Sequence, residues 1–203
     1  MFYRADQPHG MKHNPFKALV SPRPVGWISS KGADGRINLA PFSYFNAITD
    51  HPQTVVFGCN GAKPTGTRKD TASNIRETGE FVVNMVTFDL REQMNLSSAA
   101  LPADQDEFTF SGLTAVPSEV VDVPRVKESP VNLECRLVQI VQLRSNSPKV
   151  QNNMVIGEVV GIHIDERIVK DGMIDMAAYR PIARLGYMDY AVVDTIFSMD
   201  RPD

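Results

Sequence analysis

Residues 22–52 read PRPVGWISSKGADGRINLAPFSYFNAITDHP, and the chain is built around this stretch. It opens with a short β-prone run at residues 25–30 and continues into Asp34-Gly35, the strongest short-range signal for a hairpin turn. A second extended run returns over residues 38–49 and is closed by the rigid Asp50-His51-Pro52 element. We therefore predict a β-hairpin as the first large element of the chain.

The predicted hairpin carries many polar side chains beside its aromatic residues. A purely structural hairpin would alternate apolar residues toward the core with polar residues toward water. The mixture found here suits a ligand with a flat ring at one end and a phosphate at the other. Trp27 is equally a core residue or one wall of such a site. The polar residues are Ser29, Ser30, Ser43, Tyr44 and Asn46, and the other aromatic residues are Phe42 and Phe45.

The composition is that of a globular protein with one sizeable core. The chain has 203 residues, of which 42% are hydrophobic and 22% are charged, as in ordinary soluble domains. A net charge of −3 argues against a nucleic-acid partner, which requires a basic face. No apolar run approaches the roughly 18 residues of a membrane helix, and the polar start MFYRADQPHG is not a signal peptide. We expect neither nucleic acid nor a membrane as a partner.

The two cysteines, Cys59 and Cys135, lie far apart and inside β-like runs. This placement predicts buried free thiols rather than a disulfide or a metal site. Free thiols in turn predict a reducing, cytoplasmic location.

A short helix with both ends marked is predicted over residues 70–79. Asp70 is a good N-cap and Gly79 is a good residue to follow the last helical turn. Lys63, Arg68 and Lys69 lie just upstream, and a helix N-terminus beside cations binds anions through free N–H groups and the helix dipole. The alternative is a solvated loop whose cations contact nothing, and the neighbouring hairpin favours the anion site.

Further extended runs complete a sheet. Residues 54–59 and 81–86 have strand composition, while residues 133–143 and 154–165 alternate apolar and polar residues. Gly157 and Gly161 are predicted to share one face, so another chain segment, a partner subunit or a ring must pack closely there. Many strands, few helices and no β-α-β order predict an antiparallel β-barrel, and no G-x-G-x-x-G supports a doubly wound dinucleotide fold.

Several spaced segments resemble the motifs of the flavin reductase-like, FMN-binding split-barrel family, especially its flavoredoxin-like branch. Residues 22–30 (PRPVGWISS), 38–46 (NLAPFSYFN) and 68–75 (RKDTASNI, continued by GEFVVN at 79–84) resemble its first three motifs. Residues 156–160 (IGEVV) and 184–190 (RLGYMDY) look like its late strand and tail. The resemblance implies a mainly β fold, an antiparallel Greek-key split β-barrel with a few short helices. The implied division is an arm at 1–14, the FMN-binding domain at 15–193 and a tail at 194–203.

The resemblance also implies a homodimer with one FMN per subunit near the dimer interface, and hydride transfer from NAD(P)H to the flavin. The chemistry then belongs to the cofactor, so no catalytic protein residue and no metal are predicted. Matched by motif, the residues that line the FMN are Trp27, Ile28, Ser29 and Ser30, with the serines near the ribityl-phosphate. The residues that contact the flavin ring and the ribityl chain of FMN, largely through backbone groups, are Ser43, Phe45, Asn46, Ala47 and Ile48. The phosphate site comprises Lys69, Asp70 and Thr71, with Arg68 as a helper.

Two positions depart from the family pattern. Tyr187 replaces the second glycine of the usual Leu-Gly-Gly tail, and Asn153 stands where many reductases carry a histidine that faces the nicotinamide. The alternative function is therefore a flavoredoxin-like electron carrier reduced by a protein partner, and a third hypothesis is an FMN-free structural relative. His163 is a hydrogen-bonded structural residue or approaches the flavin, while Glu158 is a paired buried carboxylate or lies on the other face of its strand.

Overall fold

The computed structural model describes residues 1–61, 70–102, 105–148 and 150–202. Within these ranges the chain is mainly β, with short helices between the strands. The helices are α1 (Phe16–Leu19), α2 (Asp70–Thr78), α3 (Arg91–Leu96), α4 (Glu107–Phe110) and α5 (Met176–Tyr179), with 3₁₀ turns at Phe88–Leu90 and Glu166–Ile168. The strands are β1 (Arg23–Pro24), β2 (Gly26–Lys31), β3 (Ile37–Phe42), β4 (Phe45–Asp50), β5 (Gln53–Asn60), β6 (Glu80–Met85), β7 (Ala115–Val116), β8 (Arg125–Val126), β9 (Val131–Leu143), β10 (Asn152–Ile164), β11 (Val169–Lys170), β12 (Met173–Ile174), β13 (Ile182–Arg184) and β14 (Tyr190–Val192).

An antiparallel sheet of seven strands, in the order β3-β2-β6-β9-β10-β5-β4, forms the body of the described chain. A smaller sheet, β1-β13-β14, joins the segment before the hairpin to the late part of the chain. The predicted hairpin is confirmed for β2 and β3, where Gly26 lies opposite Phe42. Gly35 in its turn has φ +82°, a conformation that glycine adopts without steric cost.

The prediction of one continuous strand over residues 38–49 is wrong. β3 ends at Phe42, and β4 begins at Phe45 and pairs with β5 at the opposite end of the sheet. At the break, the Tyr44 carbonyl accepts a hydrogen bond from the Gly58 N–H at 2.7 Å. This bond draws the chain toward β5 and away from β2, so the segment connects the two ends of the sheet.

Aromatic side chains show that the sheet curls into a barrel. Phe42 on β3 and Phe57 on β5 belong to strands near opposite ends of the sheet, yet their ring centroids are 5.0 Å apart. The Phe57 ring also meets Phe81 of β6 edge to face at 5.5 Å. Phe57 and Phe81 are fully buried, and burying one such side chain contributes about 1.5–3 kcal/mol. The rings fill the barrel interior, and their contacts bring strands from the two edges of the sheet together.

Gly157 and Gly161 lie on opposite faces of β10, contrary to the prediction. A Cβ at Gly157 would lie 2.3 Å from Phe81 Cζ, so this residue faces the barrel interior. Gly161 lies instead against Glu134 and Val120, outside the barrel. The register of β10 against β9 shifts just before Gly161, because a bulge there inserts one residue and inverts the alternation beyond it. The Phe81 ring packs closely on Gly157, and the segment that contains Val120 packs closely on Gly161, so contacts within the chain account for both glycines.

Glu158 on the same strand is exposed and lies opposite Arg136 of β9. Its predicted place on the apolar face of β10 is therefore wrong. The alternative in which Glu158 is a paired buried carboxylate is excluded, because its side chain reaches solvent.

A second hydrophobic layer covers the outer face of β2 and β3. Trp27 is fully buried there and packs in one cluster with Leu39, Met94 of α3, Phe108 of α4 and Ile182 of β13. The helices and the irregular segment that follows α4 therefore cover one face of the hairpin. Trp27 is thus a core residue in this structure, one of the two alternatives that its sequence position leaves open.

The structure also bears on the cysteines, on membrane-spanning helices and on metal sites. Cys59 and Cys135 are buried and free, as predicted, and burial raises the pKa of the Cys135 thiol so that it stays protonated at neutral pH. Over the ranges that the structure describes, no helix has the length and apolar character needed to cross a membrane. No group of His, Cys, Asp and Glu side chains in the same ranges could hold a metal ion.

Candidate functional site

The predicted flavin-lining residues of β2 are enclosed by protein. The Trp27 indole N–H donates to Ser97 Oγ at 2.8 Å, and Ser29 Oγ donates to the Pro124 carbonyl at 2.6 Å. In this arrangement these side chains form the wall behind the site. None of these side chains is accessible to a ligand in this structure, because exposure is 0% for each of Trp27, Ile28, Ser29 and Ser30. The direct ligand contacts expected of them therefore stay a prediction.

Asn84 of β6 holds this wall together, and sequence reasoning missed it. Its Nδ2 donates to the Trp27 carbonyl at 2.9 Å and to Ser29 Oγ at 3.2 Å. Its Oδ1 accepts from the Val126 N–H and from Asn132 Nδ2, both at 2.8 Å. The signal in the sequence was an asparagine within the apolar run FVVNM, because a buried polar residue requires partners.

The N-terminal turn of α2 meets the hairpin through amide and hydroxyl groups. Asn38 Nδ2 donates to Thr71 Oγ1 at 2.9 Å, and Asn74 Nδ2 donates to Ser30 Oγ at 3.2 Å. The helix predicted at residues 70–79 is confirmed as Asp70–Thr78, followed by Gly79 at φ +74°. Thr71 and Ser30 are therefore brought together by α2. Arg68 and Lys69 lie outside the described residues, as does the Asp70 side chain, so the cations of the phosphate site stay a prediction.

A polar recess of about 400 Å³ adjoins α2 and the β2–β3 turn. Among the described residues that line it, Asp34, Glu77 and Glu107 are acidic and Arg36 is basic. Hydrogen bonds to the backbone and side chain of Arg36 hold the pKa of Asp34 below its usual range, so that carboxylate is charged at neutral pH. The excess of negative charge repels a phosphate dianion. The described lining of this recess is therefore unfavourable to a phosphate, and the predicted phosphate contact at Thr71 lies outside that lining.

Three residues predicted to contact the flavin ring lie at a free edge of the sheet. β4 is the terminal strand among the described strands, so the side away from β5 has no strand partner. Asn46, Ala47 and Ile48 are exposed there, and Asn46 Oδ1 accepts the Ala47 N–H at 3.0 Å. Phe45 is buried behind them against Gly26, where a Cβ would lie 2.8 Å from the Phe45 ring. Backbone groups at such an edge are available to a ligand.

Ser43 and Asn38 mark the two ends of β3 beside the site. Ser43 is half-buried just beyond the strand, and Asn38 lies near its start beside Thr71. Five residues of extended chain separate them, which corresponds to about 17 Å. Polar groups at this separation, followed in the chain by the exposed edge of β4, fit an elongated ligand that carries a ring and a phosphate. The residues present are thus compatible with FMN.

His163 belongs to a buried network away from these residues. Its Nε2 lies 2.5 Å from Glu134 Oε1, and Glu134 also accepts the backbone N–H groups of Glu119, Val120 and Val121 at 2.7–2.9 Å. Burial raises the pKa of the Glu134 carboxyl, but these donors together outweigh it and place the pKa below its usual range. The structure therefore shows the hydrogen-bonded, structural alternative for His163.

Comparison with sequence families gives a single assignment for almost the whole chain. Residues 19–186 match the family model described as flavin reductase like domain. An uncharacterised protein of Halalkalibacterium halodurans is 40% identical over 183 residues, which cover 90% of this chain and 87% of that protein.

Solved structures show the same architecture. Nitrilotriacetate monooxygenase component B from Bacillus cereus superimposes with a TM-score of 0.88 at 31% identity, over 98% of both chains. The 2-nitrobenzoate 2-nitroreductase of Pseudomonas fluorescens has a TM-score of 0.79 at 30% identity, over 92% of this chain and 88% of that one. A split-barrel protein from Shewanella frigidimarina also has a TM-score of 0.79, at 26% identity over 92% of this chain and 90% of that one. The predicted fold class, a mainly β antiparallel split barrel with short helices, is confirmed.

Proposed function

Because the chain belongs to the flavin reductase-like, FMN-binding split-barrel family, we propose that it is an FMN-dependent oxidoreductase that receives hydride from NAD(P)H. The observation that carries this proposal is the exposed free edge of β4, which directly follows β3 and its two polar ends, Asn38 and Ser43. When bound, FMN supplies the hydride-accepting ring, and the protein has to hold it, tune it and control access to it.

In this proposal the residues of the chain have separate tasks. Backbone N–H groups in the segment Asn46 to Ile48 would meet the pyrimidine edge of the ring, where a reduced flavin carries negative charge, and the Ala47 N–H would exchange its bond to Asn46 Oδ1 for one to the ring. Thr71 and the N-terminus of α2 hold the phosphate together with Lys69. The wall that contains Trp27, Ile28, Ser29 and Ser30 keeps water from the rear of the site and fixes the position of β3.

The names of two solved relatives support redox chemistry. One is a nitroreductase that acts on 2-nitrobenzoate, and the other is component B of nitrilotriacetate monooxygenase. Both share about the same identity with this chain, 30% and 31%, over nearly its full length. The oxidoreductase class is the reaction type that they have in common with the proposal.

Cofactor choice is tested by titrating the purified protein with FMN and with riboflavin. FMN should bind more tightly, because its phosphate adds charge-assisted hydrogen bonds. Lys69→Ala should weaken FMN binding by about 1–3 kcal/mol and leave riboflavin binding unchanged. Lys170→Ala, an exposed cation on β11, is the matched control. Equal affinities for FMN and riboflavin would contradict the phosphate site.

A second candidate function, a flavoredoxin-like electron carrier reduced by a protein partner, is favoured by Asn153. This residue is only 5% exposed, and its Nδ2 lies 3.5 Å from the Cys59 carbonyl. A side chain so enclosed does not offer the nicotinamide contact expected of a histidine there. The two candidates therefore differ in whether a nicotinamide can reduce the flavin directly.

Anaerobic mixing of FMN-loaded protein with excess NADH, then NADPH, separates the two candidates. Loss of the oxidised flavin absorbance with either nucleotide supports the reductase, with a Michaelis constant expected in the broad range of about 1 μM–1 mM. Reduction by dithionite or a reduced electron-carrier protein, but by neither nucleotide, selects the electron carrier.

We also propose that the functional unit is a homodimer in the cytoplasm. Gly157 and Gly161 contact their own chain and so do not indicate a partner, whereas exposed apolar residues near the two ends of the chain do. Phe2, Phe16, Leu19, Phe197 and Met199 expose between 59% and 90% of their surface, and a second copy would cover them. The two buried free thiols support a reducing compartment.

A further inference from the structure

A recess of about 320 Å³ opens beside Ser43, at the end of β3 away from Asn38. Its walls come from α1, the start of the hairpin, the end of α3 and the turn that follows β13. Neutral polar groups are supplied by Ser43, Asn95 and Ser98. The recess therefore adjoins the proposed flavin site and shares one residue assigned to FMN, Ser43, while its cations belong to no contact assigned to FMN.

Positive charge is concentrated in this recess. Lys17, Arg23 and Arg184 all line it, and none of the other described lining residues carries a carboxylate. Asp189 lies in the same turn but does not line the recess. No ion pair joins these three cations to a carboxylate within the part of the chain that the structure describes.

Aromatic rings hold the cations in place without neutralising them. The Arg184 guanidinium lies 4.3 Å from the centroid of the Tyr190 ring. The Arg23 guanidinium and Lys17 Nζ lie 5.9 Å and 6.0 Å from the centroid of the Tyr44 ring. Such contacts orient a cation but leave its charge available to an anion.

Arg23 gives a second, independent indication of a ligand. The residue is 6% exposed, and its terminal nitrogens donate to the carbonyls of Lys17, Val20 and Leu185. Its Nε is buried and has no hydrogen-bond partner among the described residues. Arg23 therefore places a buried guanidinium, incompletely hydrogen-bonded and without a carboxylate partner, in the wall of the recess, where an anion would compensate its charge.

From these observations we propose that the recess binds the carboxylate or phosphate group of a small anionic molecule beside the flavin. Guanidinium groups pair with such planar or multi-oxygen anions through short, charge-assisted hydrogen bonds, and the ammonium of Lys17 adds a point charge. The placement beside the flavin rests on the proposed function, whereas binding of the anion itself does not.

The test is calorimetric titration of the FMN-loaded protein with benzoate, with benzamide as the neutral analogue of the same shape, and with inorganic phosphate. Benzoate or phosphate should bind, and benzamide should bind at least about tenfold more weakly because it lacks the charge. The relative affinities of benzoate and phosphate identify which anion the recess prefers.

Variants connect the binding to the recess. Arg184→Gln and Lys17→Gln should each weaken anion binding by about tenfold, the effect of losing one hydrogen bond to a charged group. Lys170→Gln, an exposed cation that does not line the recess, should leave it unchanged. Arg23 is not substituted, because it also holds three backbone carbonyls.

The outcomes separate this inference from the proposed function. Equal binding of benzoate and benzamide, or anion binding that survives both variants, overturns the recess as an anion site. If Arg184→Gln weakens FMN binding as much as anion binding, the recess holds the cofactor phosphate and the separate subsite is wrong. If FMN fails to bind while benzoate still does, the proposed function fails and the anion site stands.

Discussion

At the scale of single residues, buried polar side chains determine how the wall behind the candidate site is held. Asn84 makes four hydrogen bonds and exposes none of its surface. Its partners belong to β2, to β8 and to β9, so a single amide joins three strands. Removing it takes the side-chain partner from the buried Trp27 carbonyl and the buried Val126 N–H, while Asn132 keeps only its bond to the Val126 carbonyl.

Asn84→Ala should therefore lower the free energy of unfolding by roughly 2–4 kcal/mol, since each buried group left unsatisfied costs about 1–3 kcal/mol. Urea denaturation followed by circular dichroism measures the change. Asn146→Ala, at an exposed position, is the control and should stay within about 0.5 kcal/mol of the parent. Similar losses for the two variants would show that the Asn84 network does not carry stability.

Gly157 cannot carry a side chain without a clash, because the Phe81 ring occupies the space that a Cβ would need. A Cβ there would lie 2.3 Å and 2.6 Å from two atoms of the fully buried Phe81 ring. Gly157→Ala should destabilise the protein by about 1–3 kcal/mol through overpacking. At Gly161 the same Cβ would meet its neighbours at 3.4 Å, which is ordinary contact. Gly161→Ala should therefore be tolerated, and thermal unfolding of the two variants compares them directly.

At the scale of elements, the irregular segment between α4 and β9 is fastened to the barrel by one carboxylate. Glu134 of β9 accepts three consecutive backbone N–H groups of that segment, from Glu119 to Val121. Val121 and Val123 pack beneath the segment against Val82 of β6. The carboxylate thus replaces the strand pairing that the segment lacks at this point.

The lowered pKa of Glu134 predicts a pH-dependent contribution to stability. A carboxyl whose pKa is depressed in the folded state stabilises the fold above its ordinary value of 4.5, and this stabilisation is lost as the pH falls through the lower folded value. Glu134→Gln should therefore be less stable than the parent at neutral pH, and the difference should shrink as the pH falls below 4.5.

Urea unfolding of both proteins across this pH range measures the difference. Glu166→Gln, at an exposed position, should show little difference from the parent at any pH. A difference for Glu134→Gln that is constant with pH would show that its carboxylate charge is not what fastens the segment.

At the scale of the whole molecule, the ends of the chain leave large apolar side chains in solvent. Phe2 and Phe197 expose 90% and 80% of their surface. Large exposed apolar side chains of this kind mark an interface with another protein when they lie together in a patch. We expect light scattering at micromolar concentration to give the mass of two chains.

Substitution tests the proposed contact. Phe16→Ser with Leu19→Ser should shift the mass toward one chain, because both side chains are exposed on α1 and contribute little to the fold of their own chain. Ser substitutions at exposed Val169 and Met173, on the two-stranded β11–β12 sheet, are the control and should leave the mass unchanged. A single-chain mass for the parent would contradict the dimer.

Local signals in the sequence determined the elements and the family. The Asp34-Gly35 turn with β-prone flanks gave β2 and β3, and residues 70–79 carried their own start and stop signals. The buried free cysteines followed from their place in strands. These features depend on neighbours in the chain, so a single sequence contains them.

The tertiary structure decided which face each residue occupies and what it meets. An alternation of apolar and polar residues does not reveal where one residue is inserted into a strand. The bulge before Gly161, and the inverted alternation beyond it, were therefore not predicted. Likewise the hydroxyl group of Ser29 predicts a ligand contact, and its hydrogen bond to the carbonyl of Pro124, which is 95 residues away in sequence, could not be predicted. The same holds for Arg23. Its guanidinium donates to the carbonyl of Leu185, which is distant in sequence, while its Nε is buried without a hydrogen-bond partner among the described residues. Contacts between distant segments set these positions, and they form only when the whole chain has folded.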